Sequence, residues 1–228
     1  MRPLSLGLPA AATLALLASA AAAGSVAPPL PTATAYVCPD GREVVVLAHP
    51  AGVVLLLAGE RAALVPAVSA SGARFEAADG SGTAFWSKGR EALVTLRGEA
   101  LGTCTAGAEV PLVPASAADL AGTAWRVAGI GPGALPEGTE ATMDFGADGA
   151  LTGQGGCNRY RGRWQAEGGT FAVGAVAAMR MACAPLAMTV EQGLLDALEA
   201  ARGAVLDPAG ALLLLDVEGA ILVEAEPA

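Results

Sequence analysis

The chain has 228 residues, over half of them hydrophobic and few aromatic, and a formal net charge of -9. An acidic chain repels phosphate backbones, which excludes nucleic acid as an expected partner, and a single histidine among 228 residues leaves little material for a zinc site or a His-based nucleophile. The length suits one large domain or two small ones.

At the N-terminus, Arg2 precedes an apolar run from Leu4 to Leu17 and small residues from Ala18 to Gly24. Ala21 and Ala23 are spaced for an A-x-A cleavage, so residues 1–23 read as a secretory signal that leaves a start near Gly24. The Leu-rich part is short and Pro9 interrupts it, which argues against a membrane span. Lipid attachment needs a cysteine directly after the apolar run, and the first is Cys38. The expectation is an exported, periplasmic protein with no lipid anchor and no stable membrane insertion.

Four cysteines, Cys38, Cys104, Cys157 and Cys183, in an exported chain without C-x-x-C point to two disulfides rather than a redox centre. Three pairings are available, and a two-unit chain favours Cys38 with Cys104 and Cys157 with Cys183. No metal and no cofactor are expected.

Residues 34–106 read as short β runs at the spacing of a small barrel or sandwich: 35–38, 43–48, 53–57, 62–65, 73–77, 83–87, 92–97 and 101–104. Pro39-Asp40-Gly41, Pro50-Ala51-Gly52, Gly59-Glu60 and Asp79 to Gly82 supply the turns. Residues 107–118, with Pro111 and Pro114, have the composition of a linker. A second unit, 119–226, reads as β near 141–145, 160–165, 170–173, 212–216 and 220–224, with one helix. Thr189 and Gln192 form a capping box for that helix, Val190, Leu194, Leu195, Leu198 and Ala201 form its apolar stripe, and Gly203 stops it. Charge divides unevenly: residues 34–107 hold six basic and seven acidic residues, whereas residues 108–228 hold six and fifteen.

Catalytic chemistry is sparse. His49 ends an apolar strand and reads as structural, and no pair of acids stands in a recognisable context. Gly153-Gln154-Gly155-Gly156 lacks the spacing of a phosphate loop and reads as a turn beside Cys157. Arg159, Arg161 and Arg163 alternate at strand period and share one face, which has the charge for an anion but, with flanking acids such as Glu167, reads as a solvated strand surface.

Lys88 is the only lysine in the chain. Codon bias toward Ala, Gly, Val and Arg accounts for the scarcity. A site needing a compact ammonium rather than a planar guanidinium accounts for it as well. The setting suits a binding role: Ser69 and Ser71 flank Ala70 in a hydroxyl-rich turn, Gly72 lets the backbone bend, and Phe85 and Trp86 offer an apolar anchor before Lys88 and Gly89. A hydrophobic strand pair with a polar rim is the structural alternative.

Tyr36-x-Cys38, Gly41, S-A-S-G-A-R-F at 69–75, F-W-S-K-G at 85–89 and Cys104 resemble the MliC-type inhibitors of c-type lysozyme. That family has Tyr where this chain has Phe75, and many of its members are lipoproteins. The resemblance implies an eight-stranded antiparallel barrel with one disulfide, no enzymatic activity, c-type lysozyme as the protein partner, and inhibitory roles for Ser71 and Lys88. Ser69, Gly72, Arg74, Trp86 and Gly89 would complete the lysozyme-binding set. Further on, L-x-G-T-x-W-R at 120–126, G-x-G-G-C-N-x-Y at 153–160 and M-R-M-A-C at 179–183 resemble the META domain of HslJ-like envelope proteins, which implies a compact β-rich α+β fold with a helix and no defined activity. The expected molecule is therefore mainly β, a lysozyme-inhibiting barrel followed by a META-like unit with an unassigned envelope-stress role. The alternatives are an envelope-stress binding protein whose barrel lacks the lysozyme contact, and a cell-wall hydrolase resting on unpaired acids. A homodimer stays open.

Overall fold

The computed structural model describes residues 26–228; the expected signal segment and its cleavage site lie outside the described residues. Eight strands, β1 (Thr32–Val37), β2 (Glu43–His49), β3 (Gly52–Leu57), β4 (Glu60–Ala67), β5 (Ala73–Glu76), β6 (Ala84–Lys88), β7 (Glu91–Leu96) and β8 (Glu99–Val110), pair in chain order. Closure of β8 on β1 removes both sheet edges, and the Cys38–Cys104 disulfide ties the end of β1 to β8. Inside, Val44, Val46, Val53, Leu55, Leu64 and Val94 pack around Phe85, which Tyr36 meets edge-on at 5.4 Å.

The connection at residues 107–118 is paired structure. β8 runs to Val110 opposite Ala33, and β9 (Val113–Pro114) pairs with Val205 and Leu206 of the second unit. The one-turn helix α1 (Ala117–Leu120) follows, capped reciprocally by Ser116 and Asp119.

The second unit is a curled antiparallel sheet. Its strands are β10 (Thr123–Ile130), β11 (Gly133–Ala134), β12 (Thr142–Phe145), β13 (Ala150–Gln154), β14 (Arg159–Glu167), β15 (Thr170–Val173), β16 (Ala177–Ala178), β17 (Gly203–Leu206), β18 (Leu212–Leu215) and β19 (Ile221–Pro227). The order along the sheet is β15-β14-β13-β12-β10-β19-β18-β17-β9, and the Phe171 N–H donates to the Arg202 carbonyl to bring the two flanks together. The helix α2 (Pro185–Ala200) plugs the concavity with Val190, Leu194, Ala197 and Leu198, against Phe145, Phe171 and Trp164.

Two details of the helix differ from the sequence reading. It begins a turn earlier, at Pro185, whose fixed φ and missing N–H suit the first turn. Thr189 therefore sits inside it, its hydroxyl donating to the Pro185 carbonyl 3.0 Å away, and caps nothing. Leu195 is only half-buried, and Ala197 takes its place in the stripe. The glycine run at 153–156 is not a plain turn either: Gly153 belongs to β13, where an added Cβ would overlap the Thr142 carbonyl.

The two units share a third apolar core. Ala33, Leu47, Val54 and Leu56 on the outer wall of the barrel meet Val205, Leu213, Leu215 and Ile221 of the second sheet. This explains two runs that do not alternate, Val53 to Leu57 and Leu212 to Leu215, in which every residue is buried. In each, one face fills its own unit and the other fills the seam. A buried Leu or Ile contributes roughly 1.5–3 kcal/mol, so the seam makes the two units one hydrophobic body.

Polar groups lock the seam at its edges. Arg61 of β4 pairs with both Asp207 and Glu224. His49 closes the other side: its Nδ1 accepts a hydrogen bond from the Ile221 N–H at 3.2 Å, which requires an unprotonated Nδ1. Burial holds the imidazole below its ordinary value near 6.5, with Asp216 opposing only in part. The unfolded chain then takes up a proton before the folded one, so this contribution to stability is present above about pH 6.5 and is lost as pH falls through it. The urea midpoint should drop from pH 7.5 to 5.5 by more in the native protein than in His49→Gln; equal drops would remove His49 from the account.

Candidate functional site

The residues singled out in the sequence gather at one end of the barrel, where the β4–β5 turn and the β6–β7 hairpin emerge. β5 and β6 pair with Ala73 opposite Ser87, Arg74 opposite Trp86 and Phe75 opposite Phe85. Past the strand end the turn stays against β6, where the Trp86 indole donates to the Ser71 carbonyl and Gly72 packs on the Ser87 carbonyl, one residue before Lys88. Ser71 and Lys88 therefore share one rim, and both are exposed.

Strand alternation splits the aromatic pair. Phe85 points inward, 3 % exposed, into the barrel core. Trp86 lies on the outer wall, half-buried, between Arg74 on β5 and Leu93 on β7. The apolar anchor beside Lys88 is thus Trp86 alone, joined by the exposed Leu93. Phe75 faces the core and packs near Phe85 at 6.3 Å.

The turn is held from beneath. The Trp86 Nε1–H donates to the Ser71 carbonyl at 2.8 Å and to Ser69 Oγ at 3.1 Å, and the Ser69 hydroxyl donates to the same carbonyl at 2.6 Å. Ser69 is therefore a positioning residue whose oxygen is already engaged. Ser71 keeps its exposed hydroxyl outside that network, since only its carbonyl is used. Arg74 is paired with Glu76, its Nε donating at 2.7 Å, so its charge is largely spoken for. Lys88 differs: it stands opposite Glu91 in the hairpin, yet among the described residues it forms no ion pair.

Gly72 makes the close approach possible. Its φ is +70°, and an added Cβ would overlap the Ser87 carbonyl and press on the Trp86 ring. Gly72→Ala should destabilise the protein by over about 1 kcal/mol and weaken any binding through this rim. A denaturant midpoint within error of the native one would show that the turn relaxes freely.

The rim is convex. A depression of about 560 Å³ lies along the seam, lined by Glu43, Leu57, Arg61, Pro208 and Glu226. No cluster of His, Cys, Asp and Glu among the described residues is arranged to hold a metal ion. The second sheet covers the outer wall formed by β1 to β4, so the β5–β7 end stays open to a partner. A projecting cation beside a braced hydroxyl turn and an indole is suited to entering an acidic cleft.

The three arginines of β14 do share an exposed face, and Cys157–Cys183 is the second disulfide. Sequence reasoning passed over Arg61, Asp207 and Glu224, which are distant in the chain and meet only across the seam.

Comparison with known proteins divides the chain at the same place. Among curated proteins none matches. A solved structure titled as the NMR structure of the protein from Burkholderia xenovorans is 24% identical, covering 54% of this chain and 92% of its own, with a TM-score of 0.45. A second, titled only as the NMR structure of the protein, is 20% identical, covering 48% of this chain and 93% of its own, with a TM-score of 0.39. Residues 36–101 match the family model described as membrane-bound lysozyme-inhibitor of c-type lysozyme, and residues 118–228 match the META domain. The chain therefore joins, in that order, an MliC segment and a META domain.

Proposed function

We propose that this protein is an exported inhibitor of c-type lysozyme rather than an enzyme, and that it acts by inserting the Ser71–Lys88 rim into the lysozyme cleft. The observation that carries the reading is Lys88, an exposed ammonium without an ion pair among the described residues, beside a turn that Trp86 and Ser69 hold in place. Lysozyme cleaves its polysaccharide with two acidic side chains. An ammonium and a hydroxyl delivered between them pair with those groups and exclude substrate, and the pairing strengthens as water leaves the cleft.

Trp86, Leu93 and Gly89 surround the charge with surface that keeps water out, while Gly72 and Ser69 fix its approach. The META unit braces the barrel along β1–β4 and leaves the rim free; its own envelope-stress role is a separate function. Two disulfides and the apolar N-terminal run fit residence in an oxidising compartment.

The test is a titration of the chain from Gly24 onward against a c-type lysozyme, following lysis of a peptidoglycan suspension. Stoichiometric inhibition is expected. Undiminished lysis at micromolar excess would leave a barrel that has the fold without the lysozyme contact.

A further inference from the structure

A second surface, far from the rim in sequence, departs from the charge of its unit. Four of the six basic residues after position 107 fall between Arg159 and Arg180, in a unit that carries fifteen acids. The exposed apolar residues concentrate beside them: Met179, Met181, Leu186 and Met188 are 47 to 56 % exposed within ten positions.

The topology places Arg159, Arg161 and Met179 on one surface, with Met181 two residues further along the chain. β16 pairs with β14 so that Ala177 opposes Arg161 and Ala178 opposes Tyr160, and the Met179 N–H donates to the Arg159 carbonyl at 3.1 Å. Cross-strand neighbours share a face, so Met179 lies with Arg159 and Arg161 on the outer side, and all three line one depression. Among the described residues Arg159, Arg161 and Arg180 form no ion pair, whereas Arg163 donates to the Asp148 carbonyl at 2.8 Å. Two acids share the face: Asp144, two strands away from Arg161 through Thr152, and Glu167 at the far end of β14.

The apolar segment is held out by covalent and polar ties. The buried Asn158 accepts from the Met181 N–H at 2.9 Å and donates to its carbonyl at 3.2 Å, with Glu191 accepting from the Asn158 backbone N–H and Nδ2–H. Cys183 is then bonded to Cys157. Backbone anchored at both ends cannot fold its thioethers inward, so Met179 and Met181 stay in water unless something covers them.

We propose that this arginine–methionine surface docks the protein on an anionic phospholipid bilayer. Guanidinium groups match phosphate in charge and geometry, and flanking thioethers enter the headgroup layer. The net charge of -9 does not prevent this, because at physiological salt charges farther than about 8 Å are screened and the bilayer meets only the nearby patch. Such docking is peripheral and uses neither a lipid anchor nor a spanning helix; no helix among the described residues is long and apolar enough to cross a membrane.

The experiment is sedimentation of the chain from Gly24 onward with vesicles of phosphatidylglycerol and phosphatidylcholine, against phosphatidylcholine alone. Salt-sensitive binding to the anionic vesicles only is expected, with Arg159→Gln/Arg161→Gln weakening it about thirtyfold. Met179→Ser/Met181→Ser should weaken it at every salt concentration. Circular dichroism and retained lysozyme inhibition show that each variant is folded. Absence of binding to anionic vesicles, equal binding to neutral ones, or folded arginine variants that bind like the native protein would each overturn the proposal.

Discussion

Lys88→Ala is expected to raise the dissociation constant for a c-type lysozyme at least about thirtyfold while leaving the denaturation midpoint unchanged. The side chain is exposed in the free protein and forms no ion pair among the described residues, so its removal leaves no gap in the fold. In the proposed complex, the same truncation would strand a catalytic carboxylate out of water, and loss of one partner of a buried charge pair amounts to about 2–5 kcal/mol. Ser71→Ala should have a smaller effect in the same direction, since a hydroxyl brings no counter-charge and a hydrogen bond to a charged group contributes about 1.5–3 kcal/mol. Lys88→Arg is the informative control: a forked, planar cation cannot reproduce a point charge on a slender stem, so it should recover the inhibition only in part. Inhibition by Lys88→Ala equal to the native protein, measured by titration and by calorimetry, would remove the residue from the mechanism.

Arg61→Ala should have the largest effect on stability of any single truncation at the seam, about 3–5 kcal/mol. Arg61 is 12 % exposed, Asp207 fully buried and Glu224 8 % exposed, so the change leaves two carboxylates in apolar surroundings without a counter-charge. Burial already pushes the Glu224 carboxyl above its ordinary value despite the guanidinium beside it. The triad is imperfect, since Arg61 Nη2 lies 2.9 Å from Glu224 without the alignment of a hydrogen bond. The triple variant Arg61→Leu/Asp207→Asn/Glu224→Gln should consequently be far more stable than Arg61→Ala, because it removes the desolvated charges together. The carboxamide introduced at position 207 keeps an oxygen where Asp207 Oδ1 accepts from the Ala209 and Ala211 N–H groups. Urea unfolding followed by tryptophan fluorescence reads both. A loss below about 1 kcal/mol for Arg61→Ala would mean the apolar seam alone holds the units together.

Much of this molecule is legible locally. The eight barrel strands fall where short β runs and Pro, Asp and Gly turns place them, and both disulfides are the pairs that a two-unit chain favours. The helix start is an instructive exception: Thr189 and Gln192 have the spacing of a capping box, but Pro185 is an equally strong first-turn signal a turn earlier, and packing of Val190 and Leu194 against the sheet settles the longer helix. Phe85 and Trp86 show the limit of adjacency in sequence, since pleating sends neighbours to opposite faces and only Trp86 reaches the rim.

The seam was written in the chain without being recognisable as one. Val53 to Leu57 and Leu212 to Leu215 are apolar at every position, which a half-solvated antiparallel strand cannot tolerate. Such a run announces burial on both faces but not the identity of what covers the second. Likewise Arg61 reads as an ordinary surface arginine until Asp207 and Glu224 arrive from more than a hundred residues away.

By itself, then, the sequence determined the barrel strands and their turns, the disulfide pairs and the residue types of the rim, because period-two patterning, turn chemistry and cysteine pairing are short-range or combinatorial constraints. It did not mark β10, β13 and β17 of the second unit. Only the tertiary structure decided that Ser71 and Lys88 share one exposed edge, that Trp86 braces it, and that the two units form a single body around Arg61. Those are questions of register and of long-range contact, and a chain specifies them only through the packing of the whole.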